Sequence, residues 1–254
     1  MPAPQPPSVP ASVTQPLSLR ALLGAHPVLL VIDAASARVQ TGLFLPSAEA
    51  LWETAEAEAG AAIFSGVEKL LARARLRLDD AGAFVFCDGP GSVLGIRTAA
   101  VAVRAWNVLR ARPVYSYCSL ELAARALAQT ENARDFAVIA DARRDTWHHV
   151  AVDASGNVSP LRRLPAAELA PPPSGTGAAL MMPAHFRHWS PLPAPAERIR
   201  EIPYSPAVQL PILAAAPLFP PAPEPDAFLH EEPSYKTWMP QIHRPPAKPK
   251  GSDK

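Results

Sequence analysis

The spacing of apolar residues changes several times along this chain, and each change marks an element. Residues 27–36, PVLLVIDAAS, are an unbroken apolar run ending in an acid and small residues, which reads as a buried strand. ARVQTGLFLP (37–46) alternates and pairs back on it as a hairpin, and ALWETAEA (50–57) is a candidate third strand. From Ala59 the period lengthens. Ile63, Val67, Leu70, Leu71 and Ala74 recur at helical spacing with Glu68, Lys69, Arg73 and Arg75 on the other side, so 59–76 is an amphipathic helix. A polar LDDAG turn follows, then the strand AFVFC (83–87) and the loop DGPGSVLG (88–95).

The next helix, over about 95–110, is unusual. Ile96, Ala99, Ala100 and Val103 mark one apolar side, while Val101, Ala105, Val108 and Leu109 mark another. Only Arg97, Arg104 and Asn107 with Arg110 break the circle, and a helix apolar nearly all round is normally covered on both sides. After it come a short strand PVYSYC (113–118), a helix SLELAARALA (119–128) with Ser119 as N-cap, and a buried strand DFAVIADA (135–142). DTWHHVAVD (145–153) and NVSPLRRLP (157–165) read as an antiparallel pair around the Ser155-Gly156-Asn157 turn. This order indicates an α/β domain whose mixed sheet opens with an antiparallel meander and continues through helical crossovers. Beyond Pro165 the pattern thins: 174–184 has room for one more strand and 205–216 for one proline-interrupted helix. No internal repeat is visible in the sequence.

Composition explains the thinning. Of 32 prolines in 254 residues, seven fall in 1–27, three in 28–159 and 22 in 160–254. The middle is an ordinary globular sequence, and prolines at the density of the ends cannot sit evenly through helices and strands. The formal net charge of +1 gives no global drive toward nucleic acid or acidic membranes. No basic residue precedes Arg20 and the N-terminus has no uninterrupted apolar core of the signal-peptide kind, which argues against a signal peptide, and 207–219 is broken by Pro211 and Pro217. The two cysteines, Cys87 and Cys118, read as lone thiols at strand ends.

The sharpest local chemistry is the Gly-Pro-Gly-Ser turn between a strand and a helix. Backbone N–H groups at a helix N-terminus attract anions, so the turn could cradle phosphate. It fits neither standard glycine fingerprint: Gly91 and Gly95 are one residue too close for a P-loop, and Leu94 stands where a dinucleotide motif needs glycine. A tight turn that brings the helix close to the sheet explains it equally simply. Asp33 ends the first strand as an acid does in actin-like ATPases and sugar kinases, but Ala34, Ala35 and Ser36 replace the glycine-rich loop, so Asp33 reads as a turn residue rather than a metal ligand. His185 and His188 lie in a proline-flanked segment with no third ligand, and His148 and His149 are strand neighbours facing opposite sides. No nucleophile elbow is present.

VLLVIDAASARVQTGLF, GPGSVLGIR with its Ala-rich helix, PVYSYCSLELAA and the Asp141-Ala142-Arg143 step before a strand together resemble the bacterial TsaB (YeaZ) family. That family belongs to the glycoprotease-like branch of the actin-like ATPase superfamily. EEPSYKTW (231–238) is similar to the family's closing segment. The chain departs from the family at Val93-Leu94, where Phe-Thr is usual, at Thr98-Ala99, and at Asp33-Ala34-Ala35.

The resemblance implies an actin-like (ribonuclease H-like) mixed sheet flanked by helices, with a second, degenerate proline-rich half. It divides the chain into a flexible N-terminal tail (1–27), a first subdomain carrying partner-binding helices (28–129), a divergent second subdomain (130–232) and a basic flexible tail (233–254). It implies a cytoplasmic, non-catalytic subunit with no catalytic residue and no metal of its own. That subunit would assemble with a TsaD-like catalytic subunit and a TsaE-like ATPase to place threonylcarbamoyl on adenosine beside the anticodon of ANN-decoding tRNAs. The partner interface would use Ile63, Val67, Leu70, Leu71, Arg97, Val101, Arg104, Ala105 and Val108, and the motif loop Asp33, Gly89, Pro90, Gly91, Ser92 and Gly95. No cofactor is expected to be held tightly, with room for ATP or ADP at the interface with the catalytic subunit. tRNA would be met only indirectly, the membrane not at all, and a homodimer would form when the chain is isolated. The alternatives are a divergent actin-like ATPase or small-molecule kinase, and a decayed relative kept as a scaffold.

Overall fold

Alternation and helical spacing translate directly into strands and helices in the structure, a computed structural model that describes residues 15–46, 48–169, 180–193, 196 and 199–227. The first sheet contains β2 (Leu29–Asp33), β3 (Val39–Phe44), β4 (Leu51–Ala55), β5 (Ala83–Gly89) and β6 (Val114–Cys118), in the spatial order β4-β3-β2-β5-β6. β2, β3 and β4 form the antiparallel meander, while β5 and β6 add in parallel; Ile32 lies opposite both Thr41 and Phe86. The second sheet contains β7 (Phe136–Asp141), β8 (Thr146–Val152), β9 (Arg162–Pro165), β10 (Leu180–Pro183) and β11 (Ile199–Ile202), in the order β11-β10-β7-β8-β9. Its first three strands are again an antiparallel meander, and its last two again add in parallel. The halves therefore share one topology, a repeat of strand order that the sequence does not display. Each half thus has a mixed sheet, as the order of elements predicts.

The molecule is layered. α2 (Ala59–Ala74) and α3 (Val93–Leu109) cover the outer face of the first sheet, burying Ile63, Leu70, Ala99, Ala100 and Val103 against Leu30, Ile32, Phe84 and Phe86. α4 (Ser119–Thr130) lies between the two sheets with Leu120, Leu122, Ala123, Ala124 and Leu127 buried, and this shared layer is the main core. On the far face of the second sheet, Ala137, Ile139 and Trp147 are covered by Leu169 and other side chains from coil. Among the described residues between β9 and β10 there is a 3-10 turn, Ala166–Glu168, and the described residues 184–193 contain no helix.

Three readings need correction. The proposed flexible tail is ordered from residue 17. β1 (Leu17–Ser18) leads into α1 (Leu19–Ala25), whose Ser18 cap accepts the Ala21 N–H at 3.2 Å, and Leu19 and Leu22 are buried. β1 pairs antiparallel with β12 (Pro217–Phe219), beyond the proline-interrupted helix α5 (Pro206–Ile212), so apolar side chains tie this segment to the far end of the described chain. Residues 1–14, the basic tail 233–254 and the family-like segment 231–238 lie outside the described residues. Ser119 is not the N-cap of α4: Cys118 holds that position, and the Ser119 hydroxyl donates to the Pro90 carbonyl at 2.6 Å. The third correction concerns α2 and is given with the site. Among the described residues no helix is long and apolar enough to cross a membrane.

Candidate functional site: a sealed loop beside an exposed helix face

The motif loop leaves β5 through a cis Gly89–Pro90 bond and enters α3 at Ser92. Ser92 caps the helix, its hydroxyl accepting the Gly95 N–H at 3.3 Å, while its own N–H donates to the Ala35 carbonyl at 2.7 Å. A side chain at Gly91 would place its Cβ 2.2 Å from the Ala35 carbonyl oxygen, and one at Gly95 would sit 2.2 Å from that of Ala34. The glycines are therefore needed so that the β2–β3 turn can lie directly on the N-terminus of α3. The turn and the start of the helix thus meet backbone to backbone.

Asp33 is fully buried, and its carboxylate accepts hydrogen bonds from Tyr117 and Tyr204, each at 2.6 Å, and from the Ala35 N–H at 3.0 Å. The last bond is the turn role expected of it; the tyrosines join it to both halves of the chain. Burial raises its pKa above the ordinary carboxylate range, and the two hydroxyls and the Ala35 N–H limit that rise. A carboxylate sealed by tyrosines cannot reach a metal ion. Beside it, burial pushes the Cys87 thiol well up and the Cys118 thiol up to about 12, so neither is a ready nucleophile. Asp88, at the end of the same strand, is pushed up to about 6 by burial against a Ser116 hydrogen bond that lowers it. Among the described residues no three His, Cys, Asp or Glu side chains cluster to hold a metal.

A cleft of about 480 Å³ opens directly on this loop, lined by Ala34, Ala35, Ser92 and Gly95 on one side and in part by Glu58, Arg187 and Trp189 on the other. Glu58 is committed to capping α2 through the Gly60 and Ala61 N–H groups, and Glu56 to Arg38 at 2.7 Å. Asp141, from the family-like Asp-Ala-Arg step, accepts the backbone N–H groups of Trp189 and Ser190, and the Arg143 guanidinium stacks over the Trp189 ring at 3.3 Å. Neither contact was legible in the sequence, because residues 141 and 189 meet only through the second sheet.

The nine expected interface residues separate into two groups. Ile63, Val67, Leu70 and Leu71 face the first sheet and are buried in its core, so they are not available to a partner; this corrects the α2 expectation. Helical spacing alone cannot say which side of an amphipathic helix faces a sheet and which a partner. On α2 the exposed apolar residue is instead Phe64, 51% accessible, edge-on to Trp106 of α3. On α3, by contrast, Arg97, Val101, Arg104, Ala105 and Val108 all lie on the exposed face, with Val101 at 53% and Val108 at 85% accessible. Val93, Leu94 and Leu109 extend this apolar surface at both ends of the helix.

Residues 53–159 match the family model of TsaD, tRNA N6-adenosine threonylcarbamoyltransferase. Among solved structures, YeaZ from Pseudomonas aeruginosa superposes with a TM-score of 0.51 at 24% identity, over 61% of this chain and 74% of that one. A second Pseudomonas aeruginosa structure, described as an uncharacterized protein similar to peptidase YEAZ, gives the same TM-score and coverage at 23% identity. No curated protein sequence matches the chain. Residues 53–159 are thus similar to a TsaD-type domain, and the fold is similar to that of YeaZ. The matched segment runs from β4 through α2, α3 and α4 to β8, so it includes the exposed α3 face and the sealed loop.

Proposed function

We propose that this chain is a non-catalytic assembly subunit of the machinery that threonylcarbamoylates tRNA, docking a TsaD-like catalytic subunit with the outer face of α3. The observation that carries the reading is that face: five large apolar side chains of one helix, Val93, Leu94, Val101, Val108 and Leu109, are half or more exposed. Large apolar side chains exposed along one face of a helix, interspersed with arginines, fit an interaction surface. Asp33 supports the same reading, because a fully buried carboxylate bonded to two tyrosines is poorly placed to hold the metal of an ATPase or kinase. A TsaE-like ATPase would then be met through the assembled complex, and any ATP or ADP would be held largely by the partners.

Co-purification with the TsaD-like subunit of the same organism tests this. The wild-type chain should form a stable complex at micromolar concentration. Val108→Arg should lower the affinity by at least about thirtyfold, as a charge placed in an apolar layer of the interface does, while unfolding free energy changes by less than about 0.5 kcal/mol because Val108 is exposed. Failure of the wild-type chain to bind would overturn the proposal.

A further inference from the structure

The second half presents, beside the cleft, an arrangement that packing does not require. The β7–β8 turn contains three successive residues with left-handed backbone, Arg143, Arg144 and Asp145 at φ 68°, 54° and 56°, and none is glycine. Such backbone is costly outside glycine and persists only where its surroundings impose it. The Arg143 N–H donates to the Asp141 carboxylate at 2.6 Å, the Thr146 hydroxyl to the Arg143 carbonyl at 2.6 Å, and the Ala166 N–H to the Asp145 carbonyl at 2.8 Å. The adjoining loop, 184–193, contains another left-handed residue, His185 at φ 66°. Its Trp189 and Ser190 N–H groups and the Ser190 hydroxyl all donate to the same Asp141 carboxylate. One aspartate thus fixes both loops, and the outcome is the Arg143 guanidinium set 3.3 Å over the centre of the Trp189 ring.

These side chains have no task inside the molecule. Trp189 is 58% accessible although a guanidinium lies on it, and it lines the cleft together with the exposed Arg187. Among the described residues, the guanidinium groups of Arg143, Arg144 and Arg187 have no carboxylate partner and no hydrogen bond. Of the acids beside them, Asp141 is shared among four donors, Glu58 caps α2 and Glu56 holds Arg38, so the exposed Asp145 is left against three arginines. Resting on the role proposed above, we infer that Trp189 is a stacking platform for an unpaired base of the tRNA, with Arg144 and Arg187 meeting the flanking phosphates and Arg143 orienting the ring. The chain then touches tRNA directly, where the family resemblance implies only indirect contact. Every base has a flat face that stacks on an aromatic ring, and guanidinium groups pair with phosphate oxygens through two N–H bonds. An acidic peptide would use the arginines alone, and an apolar one would leave three cations unpaired. A nucleic-acid strand uses the ring and the charges side by side. The net charge of the chain is +1, so bulk attraction contributes little and the local site decides the affinity.

Fluorescence anisotropy of an end-labelled, unmodified transcript of an ANN-decoding tRNA, titrated with the full-length chain alone in about 50 mM salt, tests this. Wild type should bind with a micromolar dissociation constant. Trp189→Ala should weaken binding about 5- to 150-fold, the loss of one stacked base, and Trp189→Phe should restore most of it. Arg187→Gln should weaken binding several-fold and lower the slope of log affinity against log salt by roughly 0.7–1, whereas Arg20→Gln, the same charge change on α1, should alter affinity less than about twofold. Arg143→Gly relieves a left-handed residue and frees the ring, so it should weaken binding at least about threefold while the melting temperature stays level or rises. A single strand of about ten nucleotides should displace the tRNA at least about fivefold better than duplex RNA of the same length, because paired bases offer no free face. No binding up to about 50 μM protein, equal affinities for wild type and Trp189→Ala, equal losses for Arg20→Gln and Arg187→Gln, or equal competition by the duplex would each overturn the inference. So would a Trp189→Ala chain that binds tRNA normally but loses the TsaD-like subunit, which assigns the ring to a protein contact. If wild type binds tRNA through Trp189 but binds no TsaD-like subunit, the RNA site stands and the docking role fails.

Discussion

Removing the Tyr204 hydroxyl is the most informative perturbation of the fold, because it isolates one bond of the buried network that joins the two halves. Tyr204→Phe keeps the ring, which packs edge-on against Phe186 at 5.0 Å, and deletes the hydrogen bond to Asp33. Asp33 keeps Tyr117 and the Ala35 N–H. A hydrogen bond to a charged group is worth about 1.5–3 kcal/mol and one between neutral groups about 0.5–1.5 kcal/mol, so the cost depends on whether Asp33 is ionised. Its folded pKa is raised above the unfolded value of about 3.9. The stability it contributes is therefore fully present below that unfolded pKa and is lost as pH rises through the raised folded value. The tyrosines stabilise the carboxylate and limit this loss, so removing one enlarges it. Tyr204→Phe should cost about 1 kcal/mol at pH 4 and about 2–3 kcal/mol at pH 8, the latter a fall in Tm of roughly 4–12 °C for a chain of this size. Urea unfolding of wild type, Tyr204→Phe, Asp33→Asn and the double variant at both pH values measures this. At pH 8 the double-mutant cycle should show a coupling of about 1 kcal/mol or more. An equal cost at both pH values, with additive single effects, would refute the idea that Tyr204 supports an ionised Asp33.

Further outcomes follow from the same geometry. Asp88→Asn should raise stability at pH 7.5 by roughly 1–2 kcal/mol, discounted for partial exposure, and flatten stability between pH 4 and 7, because a folded pKa of about 6 makes the wild-type carboxyl unfavourable as pH rises through that value. Urea midpoints across that range check it. Gly95→Ala should destabilise by about 3 kcal/mol or prevent soluble expression, since the added Cβ meets the Ala34 carbonyl at 2.2 Å and backbone cannot move aside cheaply. Leu70→Ala should cost about 2–5 kcal/mol in chemical denaturation with little change in the intrinsic affinity for a partner, which separates the buried side of α2 from the exposed side of α3. Arg112→Met should cost about 2–4 kcal/mol, because the buried guanidinium donates to the Ala81, Leu78 and Arg110 carbonyls and no other group reaches them all.

What the sequence shows of this fold is what local periodicity can carry. The runs at Leu29–Asp33 and Phe136–Asp141, and the helices at Ala59–Ala74 and Val93–Leu109, lie within a few residues of where spacing places them. The unusual character of α3 is also legible: its second apolar side is the one the structure exposes. Three features are not legible, each because it depends on contacts far apart in sequence. Asp33 meets Tyr204 across 171 positions, which makes a turn acid the centre of a buried network. Leu17 pairs with Phe219, which turns a proline-rich leader into a strand and a helix. α2 packs its regular apolar side on the sheet, as amphipathic helices do, so its interface residues are misassigned by any reading that lacks the sheet's position.

The uneven prolines bear on why the proposed docking face lies in the first half. Both halves have the same strand order, so each sheet has an outer face to cover. In the first half α2 and α3 cover it, and a helix laid on a sheet necessarily presents its opposite side outward. In the second half much of the cover is coil, and 22 of the 32 prolines fall in or beyond that region, from residue 160 onward. Coil over an apolar face carries backbone N–H groups without ladder partners, each costly when buried, and proline has no N–H to satisfy. Coil over a sheet face can therefore include proline readily, but it offers no regular outer stripe. Among the described residues, α3 is a long helix on an outer sheet face, and Arg97, Val101, Arg104 and Val108 lie on its exposed side.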